Sequence, residues 1–244
     1  AVELLDDGRV GIFAGTVEQG QGPTTAFAQI ASEELGVPMG SMVMTLGDTF
    51  LAPFPVPSYS SISTLATGKA VHYASIRLKE VLVQTAAELL REDSQNVLLE
   101  GGYAFAAASP RRKVSLRQLA ESLRDKGIPV KHEGTFVWRG SEHSDAVERA
   151  PNFLYGYNAA LAEVEVNVET GQVRVLGLVN VCDPGTVINP KALEGQVEGS
   201  VAMGLGFALS ERFHPDQTPT LKSYGLPTIK EVPEKLTSIF VGGP

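Results

Sequence analysis

The chain has 244 residues, 43% of them hydrophobic and 20% charged, with a formal net charge of -8. That is enough apolar material for a substantial core, in one large domain or two lobes. The acidic balance, with no basic cluster beyond Arg111, Arg112 and Lys113, argues against a nucleic-acid partner.

In chain order, residues 2–5 form an apolar run that turns at Asp7-Gly8 and returns through residues 9–14, and Asp-Gly between apolar runs predicts a β-hairpin. A Gly- and Gln-rich loop leads into a helix over Pro23–Leu35, with Pro23 suited to the first helical position and Gly36 to the stop. A third element is a helix over residues 67–90, whose Ala70, Ala74, Leu78, Val81 and Leu82 mark a buried stripe. The run Ser115-Leu116-Arg117-Gln118 is a capping box for a further helix that Gly127 ends. Residues 128–155, with Trp138, read as irregular strands and loop.

The opening plan then returns. Residues 162–168 alternate strictly, turn at Glu169-Thr170-Gly171 and come back through residues 172–181. After a loop over residues 182–189, Asn189 caps a helix with Pro190 first and Leu193, Val197, Val201 and Leu205 along one face. Each half reads as hairpin, polar loop, helix, which predicts an α+β fold of two layers built by duplication, with lobes at 1–127 and 128–244. The chain opens inside a strand-like run and closes on Gly242-Gly243-Pro244, so both ends are expected to be cut.

Three segments are candidates for chemistry. In Glu18-Gln19-Gly20-Gln21-Gly22-Pro23-Thr24-Thr25, glycines let backbone N–H groups approach an oxygen-rich ligand and the following helix adds its positive end; an ordinary turn is the competing reading. The hydroxyl cluster Ser58-Tyr59-Ser60-Ser61-Ile62-Ser63-Thr64, just ahead of a long helix, suits either a pyrophosphate or a plain N-cap. Glu194-Gly195-Gln196-Val197-Glu198-Gly199 puts two glycines inside a helix, for tight packing or for a ligand's close approach. His72, His132, His143 and His214 are scattered, and Asp48 after Gly47 reads as a turn acceptor or a ligand contact. Cys182, the only cysteine, excludes an intramolecular disulfide and any CxxC metal site, and suits a reducing, cytoplasmic setting. The longest apolar stretch, residues 201–209, is about half of what a membrane-spanning helix needs.

Taken in order, these segments resemble the molybdenum-cofactor-binding region of the xanthine oxidase and aldehyde oxidoreductase family. The resemblance covers nearly the whole chain and rests on Glu18-Gln19-Gly20-Gln21-Gly22 with Gln29-Ile30-Ala31 and Glu34-Leu35-Gly36, on Gly47-Asp48-Thr49, and on Ser61-Ile62-Ser63-Thr64 with Gly68-Lys69-Ala70. Its last part runs from Asp183 through Asn189-Pro190 to Gly195-Gln196-Val197-Glu198-Gly199 and Gly204-Leu205-Gly206. It implies a molybdopterin whose own sulfurs bind molybdenum, in the cytosine dinucleotide form common in bacterial members. It further implies that Gly20, Gln21 and Gly22 lie at the pterin, with Gln21 near the molybdenum oxo ligand. Ser60, Ser61, Ser63 and Lys69 would hold the pterin and phosphate region, and Gln196 would bond the pterin.

The family's catalytic glutamate is expected beyond Pro244, so no catalytic residue is assigned within the chain. Many bacterial members carry arginine where Ile62 stands and asparagine where Lys69 stands. The activity implied is that of a molybdenum hydroxylase of heteroaromatic rings or aldehydes, with water as oxygen source. Its partners would be the other portion of the molybdopterin subunit and subunits or domains carrying 2Fe-2S clusters and FAD. A non-catalytic scaffold and a generic module for anionic ligands are the alternatives.

Overall fold

The computed structural model describes residues 1–54, 58–59, 61–137 and 155–242. The chain divides into two compact units, Ala1–Pro151 and Asn152–Pro244.

In the first unit, β1 (Val2–Leu4) and β2 (Val10–Ala14) form the expected hairpin, with Val2 opposite Ile12 and Leu4 opposite Val10. Gly8 closes the turn at φ 86°, a conformation that glycine adopts without steric cost. Helix α1 (Pro23–Leu35) follows and stops at Gly36, whose φ of 62° lets its N–H bond back to the Ser32 carbonyl. Beyond it β3 (Met42–Leu46) returns parallel to β2, so β2, α1 and β3 make a βαβ unit.

Helix α2 (Ser63–Leu90) is the spine of this unit. Its predicted stripe is buried at Ala74, Leu78 and Leu82, but the helix begins four residues before the expected position 67, so Ser63 and Thr64 lie inside its first turn. The reason is local: the N-cap residue is Ile62, which supplies no side-chain cap, so no start signal is written there.

A three-stranded antiparallel sheet of β4 (Val97–Glu100), β5 (Tyr103–Ala106) and β6 (Ser109–Ser115) comes next. The capping box at Ser115 and Gln118 starts α3 (Leu116–Asp125), where the serine oxygen accepts the Gln118 N–H at 3.3 Å and the Gln118 side chain accepts the Ser115 N–H at 2.8 Å. The short strand β7 (Lys131–His132) pairs with β1 and completes the sheet order β3-β2-β1-β7. Phe27, Ile12, Leu35, Leu78, Leu82, Leu119 and Leu123 are fully buried in one core. Each such side chain contributes about 1.5–3 kcal/mol by leaving water.

The second unit repeats the opening plan. Strands β8 (Tyr157–Val166) and β9 (Val173–Asp183) form a hairpin, α4 (Pro190–Leu209) follows, and after the short α5 (Leu221–Tyr224) strand β10 (Lys235–Phe240) runs parallel to β9. The order β10-β9-β8 matches β3-β2-β1, so the repeat is hairpin, helix, parallel strand, one element longer than the sequence suggested.

The hairpin also sits differently from expectation. Strand β8 ends at Val166 because the Asn167 side chain accepts the N–H groups of Glu169 and Thr170 and makes the turn itself. It begins at Tyr157, ahead of the expected 162, because Ala159-Ala160-Leu161-Ala162 carries no apolar–polar alternation to mark a strand, and pairing with β9 alone extends it there. The α4 start is as predicted: Asn189 Oδ1 accepts the Ala192 N–H at 3.0 Å, with Pro190 first. Val197 and Leu205 are buried on its inner face.

Candidate functional site

In open sheets with parallel strands, the loops leaving the carboxyl ends of the strands converge where helix N-termini point, and ligands bind there. The first unit builds such an end from β2, β3 and the starts of α1 and α2. The Gly47 N–H donates to the Ala14 carbonyl at 2.9 Å, and a Cβ on Gly47 would stand 3.0 Å from Val17 Cγ1, so the loop after β3 lies against the loop after β2. Thr16, 1% exposed, shares a 2.9 Å hydroxyl hydrogen bond with Thr67, one turn into α2. That bond ties the Gly-rich loop to the beginning of α2. At Gly68 a Cβ would come within 3.1 Å of Ile30 Cδ1, so glycine lets α1 and α2 approach closely beside the same place.

The two helix N-termini are electrostatically unlike. The α1 cap is Gly22 at φ 79°, with no capping side chain of its own and no acidic residue in the first turn. Glu18 supplies the missing anion: Oε1 accepts the N–H groups of Gly20 at 3.1 Å and Gly22 at 3.0 Å, and Oε2 accepts the Thr24 hydroxyl at 3.0 Å. Desolvation pushes the Glu18 carboxyl upward, but the hydrogen bonds from Gly22, Thr24 and Gly20 outweigh it and hold the group below its ordinary value. Gln21 folds over the same loop, its Oε1 accepting the Gln19 N–H at 2.6 Å and its Nε2 donating to the Val17 carbonyl at 3.0 Å.

The α2 N-terminus carries neither a capping side chain nor an acid in its first turn, and Ser61 just before it is held at φ 56°. One end is filled by the chain's own carboxylate. Among the described residues no carboxylate fills the other, the positive end of a 28-residue helix at which Ser61, Ser63 and Thr64 stand.

The loop after β3 is pinned as firmly. Asp48 Oδ1 accepts the N–H groups of Leu51 at 2.9 Å and Phe50 at 2.8 Å, which hold its carboxyl below the usual range, and Lys131 Nζ donates to the Leu51 carbonyl at 3.3 Å. Asp48 is a turn acceptor here, and the loop it shapes presents Phe50 and Phe54 at 93% and 99% exposure.

Of the residues singled out in the sequence, Gly20, Gln21, Gly22, Ser61 and Ser63 come together at this end of the first unit. Lys69 sits on α2 with its Nζ 5.2 Å from the centre of the Phe136 ring. Ser60 lies outside the described residues, as does Trp138. Gln196 belongs to the second unit, exposed on α4 between Gly195 and Gly199, neither of which has a heavy atom of its own unit within 4 Å of where a Cβ would stand. Packing within the unit therefore does not account for those two glycines. The sequence reading missed Thr16 and Thr67, since 51 residues separate them and neither stands in a motif. Among the described residues no three His, Cys, Asp or Glu side chains gather as a metal-ion site. None of the described helices is long and apolar enough to cross a membrane.

The arrangement offers a neutral, amide-bearing face at Gln21 beside a cationic helix end lined by hydroxyls.

A family model described as the molybdopterin cofactor-binding domain matches residues 1–233. The putative xanthine dehydrogenase molybdenum-binding subunit of Escherichia coli (strain K12) is 29% identical over 98% of the chain, which spans 31% of that relative's length. The aldehyde oxidoreductase of Megalodesulfovibrio gigas is 30% identical over 99% of the chain, which spans 24% of it. Among solved structures, the quinoline 2-oxidoreductase from Pseudomonas putida 86 superposes over the full chain with a TM-score of 0.82 at 27% identity, the chain again covering 31% of that protein. The chain belongs to the molybdopterin cofactor-binding domain family.

Proposed function

We propose that this chain forms part of the cofactor site of a molybdenum hydroxylase acting on a heteroaromatic or aldehyde substrate. The observation that carries the reading is the pairing of a helix N-terminus already neutralised by Glu18 with a second, uncapped one at Ser61 and Ser63. Gly20, Gln21 and Gly22 hold the pterin, with Gln21 beside the molybdenum oxo ligand. Ser60, Ser61, Ser63 and Lys69 hold the phosphate region, and Gln196 of the second unit bonds the pterin. A cytosine dinucleotide tail suits the open end of α2, where the helix dipole favours phosphate. Because the N–H groups of Gly20 and Gly22 are taken by Glu18, a generic anion-binding module at this loop is the weaker reading.

When bound, the cofactor supplies the two-electron oxidation of the substrate carbon, with water as oxygen source. This chain's residues bind and orient it and exclude competing anions at the loop. The reading assigns no catalytic base to this chain's residues. The other portion of the molybdopterin subunit completes the site, and partners carrying 2Fe-2S and FAD accept the electrons in a cytoplasmic complex.

The test is substitution in the assembled complex. Gln21→Ala should lower molybdenum per chain, and Ser61→Ala with Ser63→Ala should lower the nucleotide released by acid. Unchanged metal and nucleotide in both variants would contradict the assignment.

A further inference from the structure

The Gly-rich loop satisfies its own donors before any ligand arrives. The N–H groups of Gly20 and Gly22 converge on one carboxylate oxygen of Glu18 and the Thr24 hydroxyl takes the other, while the Gln19 N–H is accepted by Gln21. Clustered backbone N–H groups at a helix start bind free anions in other proteins. Here that position is filled from within, by a residue four positions ahead of the helix cap.

The cost of leaving it unfilled follows from the backbone. Gly20 and Gly22 stand at φ 96° and 79°, in the left-handed region that glycine visits freely but does not hold. Without a fixed acceptor the loop has many shapes, and Gln21, between them, would point in as many directions.

We infer that Glu18 is a positioning residue: a built-in anion that holds Gly20, Gly22 and Thr24 in the single loop shape that presents Gln21, and that closes the α1 N-terminus to outside anions. Gln21 is then the loop's movable part: turning its amide to a ligand releases the Gln19 N–H and the Val17 carbonyl, while Gly20, Gly22 and Thr24 stay held by Glu18. What the loop is positioned for rests on the cofactor reading; the pinning itself does not.

The experiment is amide hydrogen exchange on the full chain without cofactor, with acetate as the probe. In the native chain the Gly20 and Gly22 amides should be protected and indifferent to acetate. In Glu18→Ala their exchange should rise about tenfold or more, as expected for loss of a charge-assisted acceptor. Added acetate should restore much of that protection, a rescue that a merely structural role for Glu18 would not produce.

Should the alanine variant fail to fold, Glu18→Gln serves instead. Its amide oxygen still accepts from the glycines but its NH2 cannot accept from Thr24, so protection should be intermediate. Equal protection in native and variant chains, or a native chain that responds to acetate as strongly as the alanine variant, would overturn the proposal. A pinned loop in a chain that never takes up molybdopterin would instead overturn the cofactor reading and leave Glu18's role standing.

Discussion

The Thr16–Thr67 bond joins the two candidate binding loops, and its two halves should respond unequally to removal. Thr16 is 1% exposed whereas Thr67 is half-buried on a helix, where a threonine hydroxyl can fall back on the carbonyl four residues earlier. Thr16→Val therefore loses one ordinary hydrogen bond and strands little, for a destabilisation of about 1 kcal/mol. Thr67→Val leaves the Thr16 hydroxyl buried without its 2.9 Å partner and should cost about 2 kcal/mol. The double variant removes both polar groups and should cost less than the sum, with a coupling of about 1 kcal/mol. Urea unfolding with unchanged slope measures all three. Additivity of the two costs, or a larger loss from Thr16→Val than from Thr67→Val, would refute the claim that this hydroxyl pair ties the loops.

Other consequences concern the backbone and the loop charge. Ser61 is a non-glycine residue at φ 56°, so Ser61→Gly should relieve about 1 kcal/mol of strain, raise the melting temperature of the chain and weaken its retention of a phosphate-bearing ligand. Gly36→Ala combines φ 62° with a Cβ that would clash with the Leu99 carbonyl oxygen, and should destabilise by more than about 2 kcal/mol in denaturant unfolding. The Glu18 carboxyl is depressed in the folded chain, so its hold on the loop is present above the unfolded value of about 4.3 and is lost as pH falls through the lower folded value. Protection of the Gly20 and Gly22 amides, measured against pH, should fall off only in that acidic window, and Glu18→Gln should flatten the profile.

What could be read in the sequence was what local chemistry dictates. Asp7-Gly8, Pro23 with Gly36, the Ser115–Gln118 box and Asn189-Pro190 each declare an element boundary through a few neighbouring atoms, and each stands where expected. The parallel partners β3 and β10 are set by pairing across an intervening helix, which leaves no local mark. The sheet of β4, β5 and β6 did carry a signal, the Gly101-Gly102 turn at φ 61° and 82° between two strands, and the sequence reading passed over it. The start of α2 was misplaced because Ile62 is no capping residue, and an uncapped start is what a phosphate-bearing ligand needs. At the candidate site, the glycines and hydroxyls were visible as composition. The occupation of the α1 N-terminus by Glu18 was not, although its spacing of two and four residues to Gly20 and Gly22 is in the sequence.

Whether the chain helps to hold molybdopterin is answered by metal and nucleotide analysis of the complex purified from its native host with whatever chains accompany it. Near-stoichiometric molybdenum per chain, released together with cytosine nucleotide, is the predicted result. An intact native complex that contains this chain and no molybdenum would contradict the account.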